Sequence, residues 1–247
     1  MPFTFSHPSI ILPLLKLKPK HVSATALFAG SMAPDFEYFI NFQMKQVHGH
    51  SLSGMVYYDF PLAIIMCFAF HAFVRDGLIY YSPRFIQNRW CHFIGYDWNN
   101  RWRQDWKIIL ISAFIGICSH IFLDSFTHEH RFMTDHLHFL HEKFTIAGTT
   151  LPLYRIGQLH GSLVGLFLIS WVILKEPVKQ DFRSGFRIKI FYWMFVTLVA
   201  FCVLIMRNFQ SFEDVIATSI SGFLIGLIAA PILIRLMQLD REQKVSY

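Results

Sequence analysis

The stretch IILISAFIGICSHIFLD, residues 108–124, decides the fold, because it is apolar and long enough to cross a lipid bilayer. Near its end the run carries His120 and Asp124, which are four residues apart and therefore share one face of a helix. Ionisable side chains at bilayer depth are costly unless they pair or bind something, so they indicate a functional site. His128 continues the same face by four more residues.

The composition of the whole chain predicts an integral membrane protein. Of the 247 residues 54% are hydrophobic and 15% are charged, and the mean hydropathy is +0.40. Since a span needs about 20 mostly apolar residues, five segments qualify, at about 55–74, 108–124, 160–174, 188–206 and 215–238. We therefore expect an all-α, polytopic helical membrane protein.

An N-terminal helical hairpin should precede these spans. Residues 9–17 and 23–42 are apolar but are interrupted by Pro13, Pro19 and Pro34, which predicts two short helices dipping into the bilayer. The sequence shows no linker or repeat, so we expect a single membrane domain. Its parts would be the hairpin at 1–50, the core spans at 51–175 and two C-terminal spans at 176–247.

Positive charge predicts the orientation. Alternate connections, together with the C-terminal tail, hold 13 lysines and arginines against 4 on the other side. Under the positive-inside rule the C-terminus is then cytoplasmic. The net charge of +6 is explained by this topology, so we expect no nucleic-acid partner.

The same topology gathers the polar candidates on the extracytoplasmic face. The start of the first span carries His48, His50 and Asp59, and the end of the second carries His120 and Asp124. The hairpin would bring His7 and Asp35 to this face if the lysines at its tip point inward, and the third span would add His160 at its start.

Each candidate also has a plainer interpretation. His120 and Asp124 could form a hydrogen-bonded pair that locks two helices together. Asp35 could cap a helix that begins after Pro34. The histidines between His128 and His141 include side chains that need only be solvated, and the sequence does not choose between these alternatives.

Five motifs resemble those of a bacterial membrane family known only as a domain of unknown function. In chain order they are MPFTFSHP at 1–8, GSMAPDFEYF at 30–39, YDFPL at 58–62 after a His-Ser pair, SHIFLDSFTHE at 119–129 and LPLYRIGQ at 151–158. The pattern is similar, more distantly, to membrane-bound metal-dependent hydrolases related to zinc-dependent phospholipase C. The resemblance covers roughly residues 1–175.

This resemblance implies a set of metal ligands and their neighbours. The implied ligands are His7, Asp35, His50, His120 and Asp124. Thr127 and His128 would lie beside them, and Glu37 or His128 would act as the acid or base. The chain departs from the pattern at Gly49-His50-Ser51, where Thr-His-Ser is expected, so one hydroxyl that could support the ligand is missing.

Imidazole and carboxylate ligands suit zinc, with manganese or iron as alternatives, and five ligands could hold one ion or bridge two. A site on that face would reach a membrane lipid or lipid-linked phosphoester laterally, which predicts a hydrolase. The competing hypotheses are a non-catalytic protein that binds or transports metal and a purely structural one. The substrate and oligomeric state are left open by the sequence.

Overall fold

The structure is a computed structural model that describes residues 3–146 and 148–237, and nearly all of its regular structure is helical. The long helices are α1 (Ala24–Asn41), α2 (Leu52–Tyr80), α4 (Trp98–Thr127), α6 (Leu153–Lys175), α7 (Phe186–Ile205) and α8 (Phe212–Leu236). The short elements are a 3-10 helix at Thr4–Lys16, α3 (Arg84–Trp90), a 3-10 turn at Cys91–Phe93, α5 (Phe132–His136), another at His138–His141, and strands β1 (Lys143–Ile146) and β2 (Thr149–Pro152).

Among the described residues, five helical stretches are long and apolar enough to cross a membrane, and they confirm the predicted helical membrane fold. They are Leu52–Tyr80, Trp98–His136, Leu153–Lys175, Phe186–Ile205 and Phe212–Leu236. The helices extend beyond most of the predicted spans. The predicted end of the last span and the charged tail lie outside the described residues.

The surface of α6 is too apolar to be exposed to water. Leu163, Phe167 and Trp171 are each more than half exposed and lie along one helix. Large apolar side chains packed so densely on a surface mark contact with lipid or another protein. Five such helices fit an integral membrane protein.

The N-terminal segment forms two helices, as predicted, but Pro34 does not interrupt the second. The chain is helical from Ala24 to Asn41 with Pro34 inside. A proline in a helix lacks the N–H that would bond the carbonyl four residues earlier, which here is that of Gly30. The next carbonyl along α1, that of Ser31, accepts a hydrogen bond from His120 on α4. Asp35 therefore lies inside α1, and its interpretation as a helix cap is wrong.

Contacts divide the chain into two compact units. The first comprises the chain up to Asp35 together with His48–Cys67 and Arg101–Val172. It also contains the antiparallel hairpin of β1 and β2, which the sequence did not predict; Gly148 in its turn has φ of +82°. The prediction of a single domain with three parts stays a prediction.

The second unit comprises Phe36–Val47, Phe68–Asn100 and the chain from Ile173 onward. Its core centres on Tyr192, which is fully buried in α7 and stacks on Tyr81 with ring centroids 4.6 Å apart. Helices α7 and α8 pack closely at Gly226, where an added Cβ would lie 2.8 Å from the Val196 carbonyl oxygen.

Candidate metal centre

The first unit brings together all five side chains that were implied as metal ligands. The 3-10 helix supplies His7, α1 supplies Asp35, the turn before α2 supplies His50, and α4 supplies His120 and Asp124. No side chain of the five is more than 5% exposed. The sequence places them far apart, so it is the fold that collects them.

Four of these side chains direct one ligand atom each toward a common point. The Nε2 atom of His50 lies 3.0 Å from Nε2 of His120 and 2.8 Å from Oδ2 of Asp124. Nε2 of His120 lies 3.3 Å from the same oxygen of Asp124. Oδ1 of Asp35 lies 3.5 Å from the His50 nitrogen and 3.6 Å from the His120 nitrogen. Zinc bonds of about 2.0–2.1 Å place tetrahedral ligand atoms about 3.3 Å apart, which matches these edges.

The ring orientation of His120 shows which nitrogen is available to a metal. Its Nδ1 lies 2.8 Å from the Ser31 carbonyl oxygen, which can only accept, so Nδ1 carries the hydrogen. In the neutral ring Nε2 then presents a lone pair toward Asp35 and Asp124. A carbonyl that fixes the tautomer in this way is the usual support of a metal-bound histidine. The cluster is therefore a set of electron-pair donors that requires a cation or added protons.

The turn that carries His50 is held in an unusual conformation. His50 has φ of +62°, a left-handed conformation that is costly for a residue with a side chain. Nη1 of Arg131 donates to the His50 carbonyl oxygen at 3.2 Å. Ser51 accepts from the Gly54 N–H and so caps the helix that follows. These contacts fix the ligand despite its strained backbone.

Two glycines allow α1 and α4 to approach closely enough to share the site. An added Cβ on Gly30 would lie 2.1 Å from the Ala113 carbonyl oxygen. One on Gly116 would lie 2.4 Å from the Leu27 carbonyl oxygen. Both contacts are with backbone atoms, so a larger residue would separate the helices. Small residues at a helix crossing are a common packing device in membranes.

His7 lies against the cluster beside His120. Its side chain is fully buried and its ring stacks on His120, with ring centroids 3.9 Å apart. Neither ring nitrogen has a hydrogen-bond partner. Burial, with the neighbouring His120 ring in second place, lowers the pKa of His7 well below its usual 6.5. The imidazole is therefore neutral at physiological pH, which is the form that binds metals.

His128, predicted as an acid or base, borders the cluster at its solvent side. Nδ1 lies 3.3 Å from Oδ1 of Asp124, and Nε2 lies 3.3 Å from the side-chain amide of Gln158. Its side chain is 25% exposed, against 4% for Asp124. This position gives His128 contact with both the buried carboxylate and water. Its catalytic role stays a prediction.

Glu37, the other predicted acid or base, belongs to the second unit. Its side chain is buried, and Oε1 accepts a hydrogen bond of 2.7 Å from the Val47 N–H. That bond is a structural role, holding the end of α1 to the loop that follows. A catalytic role for Glu37 stays a prediction.

The other histidines of the predicted face lie in simpler surroundings. His130 has a side chain that is 87% exposed. The ring of His160 is on the surface of α6 and bonds the Ile156 carbonyl of its own helix. His48 makes a 2.9 Å hydrogen bond to the Tyr57 hydroxyl. For His130 the interpretation as a solvated side chain fits the structure, and His160 is also exposed.

Sequence reasoning missed the residues that support the ligands. Thr4 donates a 2.8 Å hydrogen bond to Oδ2 of Asp35, and both side chains are buried. Ser31 and Arg131 hold His120 and His50 through backbone carbonyls. Thr4 lies within the first motif, three residues before His7, and this was the only available signal. A carbonyl has no signature in a sequence.

Comparison with known families agrees with the resemblance seen in the motifs. A family described as Domain of unknown function (DUF4184) matches residues 1–235. The chain belongs to this family. No curated protein and no solved structure matches the chain. Membership of DUF4184 brings no activity with it, and the more distant similarity to hydrolases stays a prediction, so the chemistry rests on the site itself.

The buried Asp and His cluster of this DUF4184 chain could hold a metal ion, and the fit rests on three observations. Four donor atoms from Asp35, His50, His120 and Asp124 lie within 4.8 Å of one another. His120 has the tautomer of a ligand. His7 has buried ring nitrogens with no hydrogen-bond partner, a state that costs free energy unless something binds there.

Proposed function

We propose that the protein is a membrane-embedded metal-dependent hydrolase that acts on lipid or lipid-linked phosphoesters at the extracytoplasmic face. The observation that carries this proposal is the group of four donor atoms, which all lie within 4.8 Å of one another and have five edges of 2.8–3.6 Å. The positive charge of the connections supports an inner membrane with a cytoplasmic C-terminus.

Zinc is the metal that suits this donor set best. Two imidazole nitrogens and two carboxylate oxygens at near-tetrahedral spacing are typical of zinc, while manganese and iron accept similar ligands. A divalent ion held there would need a fifth coordination position, and with it would supply Lewis-acid polarisation of a phosphoryl oxygen and acidify water.

The side chains around the cluster supply the remaining functions of a hydrolytic site. His128 can take a proton from water and pass it on, since it contacts both Asp124 and solvent. Arg131, which contacts the His50 carbonyl, carries a positive charge that would attract an anionic phosphoester. His50, His120, Asp35 and Asp124 hold the ion, and their burial excludes bulk water.

An apolar cleft supports a lipid substrate. It lies on α2, which follows His50, and on α4, which carries His120 and Asp124. It is formed by side chains of α2 and α4 alone: Val56, Phe60, Leu110, Ile111 and Phe114. Its surface is almost entirely apolar. An acyl chain fits such a lining, whereas a sugar or nucleotide would leave its polar groups unpaired.

The first experiment measures metal content by mass spectrometry on protein purified in detergent. Wild type is compared with His120→Ala and Asp124→Ala, and with His160→Ala as a surface control; size-exclusion chromatography reports folding. We expect near-stoichiometric zinc, manganese or iron in wild type and the control, and loss of that metal in both site variants. Well-folded wild type without metal, after incubation with each of these ions, would overturn the proposal.

The second experiment tests the substrate class on metal-loaded protein. Phosphomonoester and phosphodiester lipids in mixed micelles are compared with a water-soluble aryl phosphate of matched reactivity. We expect release of phosphate or headgroup from the lipid, abolished by Asp124→Ala. A metal-loaded protein that cleaves no phosphoester would leave a non-catalytic metal-binding membrane protein.

A metal transporter is the main alternative, and the spans that follow α6 count against it. Transport requires polar groups along a path across the membrane. Within α7 and α8, the lysine, arginine, aspartate and glutamate residues lie near the ends: Arg187, Lys189, Glu213, Asp214 and Arg235. The middle of both helices offers no ionisable relay.

A further inference from the structure

We propose that the cluster is a two-ion centre, in which Asp35 and Asp124 bridge the first metal to a second one bound by His7 and His128. This inference rests on the proposed function, because it adds a second ion to the same metal centre. It assigns a role to the outward oxygens of both carboxylates, which the four-atom group leaves unused.

The two oxygens of each carboxylate have different partners, and Oδ2 of Asp35 also accepts the 2.8 Å hydrogen bond from Thr4. Oδ2 of Asp124 faces the nitrogens of His50 and His120, while its Oδ1 faces His7 at 3.6 Å and His128 at 3.3 Å. Oδ1 of Asp35 joins the first group, while its Oδ2 lies 3.9 Å from Nε2 of His7. A carboxylate divided between two sets of donors is the arrangement that bridges paired ions.

The second set of donor atoms has edges similar to those of the first. Nε2 of His7 lies 3.6 Å from the Asp124 oxygen and 3.9 Å from the Asp35 oxygen. Nδ1 of His128 lies 3.3 Å from that Asp124 oxygen. These separations are close to the 2.8–3.6 Å of the first set, and a bound ion would shorten the longest.

His7 is the independent sign that something binds on this side. Its ring is fully buried, and both nitrogens lack a hydrogen-bond partner. Its Nε2 points to the outward carboxylate oxygens at distances too long for hydrogen bonds. A buried, unpaired polar group destabilises the folded protein, and a cation between these atoms would remove that destabilisation.

The two positions differ in access to solvent, which separates their chemical roles. The ligands of the first ion are at most 5% exposed. The second ion would have His128, with 25% of its side chain exposed, on its open side. Paired ions in phosphoesterases lie about 3.5–4 Å apart and clamp the attacking and leaving oxygens. The second ion would be the one in contact with water and substrate.

The test uses manganese, because its electron paramagnetic resonance spectrum reports pairs of ions. Full-length protein in detergent is stripped with a chelator and reloaded with manganese. Wild type is compared with His7→Leu and His7→Asn, with His160→Ala as a surface control. Leucine removes the unpaired nitrogens and keeps the volume apolar, so at least one His7 variant should fold. Bound manganese is counted by mass spectrometry.

We expect two manganese ions per chain and an exchange-coupled spectrum in wild type and the control. The folded His7 variants should retain one ion and show the six-line spectrum of isolated manganese. One ion in wild type would overturn the second site while leaving the proposed metal centre intact. Two coupled ions in a folded His7 variant would overturn the assignment of His7. No manganese, zinc or iron in wild type would overturn both proposals.

Discussion

The ring of His120 on α4 donates its Nδ1 hydrogen to the Ser31 carbonyl of α1 at 2.8 Å, and this bond orients Nε2 toward two carboxylates. The two residues lie on different helices, so this bond ties the orientation of the His120 ring to the packing of α4 against α1. A change that separates the two helices should therefore also turn the ring away from the carboxylates.

Widening the crossing of α1 and α4 should abolish metal binding. In Gly116→Ala the new methyl would meet the Leu27 backbone at 2.4 Å, so the helices must separate. We expect a loss of about 1–3 kcal/mol in stability, typical of overpacking, and loss of the metal. Thermal unfolding in detergent and metal analysis measure both. Gly161→Ala is the matched control, since nothing lies within 4 Å of its added Cβ; equal effects of the two changes would contradict the prediction.

Removal of the Thr4 hydroxyl should weaken metal binding without unfolding the protein. Thr4→Val keeps the shape but deletes the 2.8 Å hydrogen bond to Asp35. Loss of a group that orients a ligand typically costs 10–100-fold in metal affinity. Competition with a chelator of known affinity measures the change. Thr197→Val, on an exposed hydroxyl that bonds its own helix, is the control; unchanged affinity in Thr4→Val would show that Asp35 needs no support.

Arg131 should act by positioning His50. Arg131→Gln removes a charged donor to the carbonyl of a residue held at φ of +62°. The turn can then relax, and we expect about tenfold weaker metal binding with little change in melting temperature. The control is Arg103→Gln, on the surface of α4. If Arg131 only attracts an anionic substrate, the variant will bind metal normally and lose only the activity.

The metal-free protein should lose stability on acidification partly because of His7. The folded-state pKa of His7 lies well below 6.5, mainly through burial, so the unfolded chain takes up a proton there first as the pH falls. Stability from this group is therefore complete above pH 6.5 and declines below it, with a slope of at most about 1.4 kcal/mol per pH unit. His7→Leu removes this contribution. Melting temperatures of both proteins between pH 7.5 and 5 test it: parallel curves would contradict the assignment.

The protein should also release its metal as the pH falls. Histidine ligands bind only when neutral, so protons compete with the ion as the pH falls below 6.5. We expect wild type to retain its metal at pH 7.5 and to lose it during dialysis at pH 5. Retention at pH 5 at the same level as at pH 7.5 would indicate that the metal is not held by these histidines.

The sequence predicted the membrane fold well because hydropathy over a whole span is a strong and local signal. It also indicated which side chains form the buried cluster, since His120 and Asp124 are costly in an apolar run and the motifs named the others; their role as metal ligands stays a prediction. The interpretation of Asp35 as a helix cap was wrong, because a proline usually ends a helix, whereas Pro34 lies inside α1. The bridging arrangement of the carboxylates depends on distances between segments, which no spacing along the chain encodes.

The side chains of the cluster are spread over the first half of the chain, with His7 in the first helix and Asp124 in the second candidate span. During synthesis His7, Asp35 and His50 are made before His120 and Asp124. An ion bound as proposed could be captured only after α4 has packed against α1. Loading would therefore be a late step in biogenesis, and it would report that the amino-terminal half has been assembled.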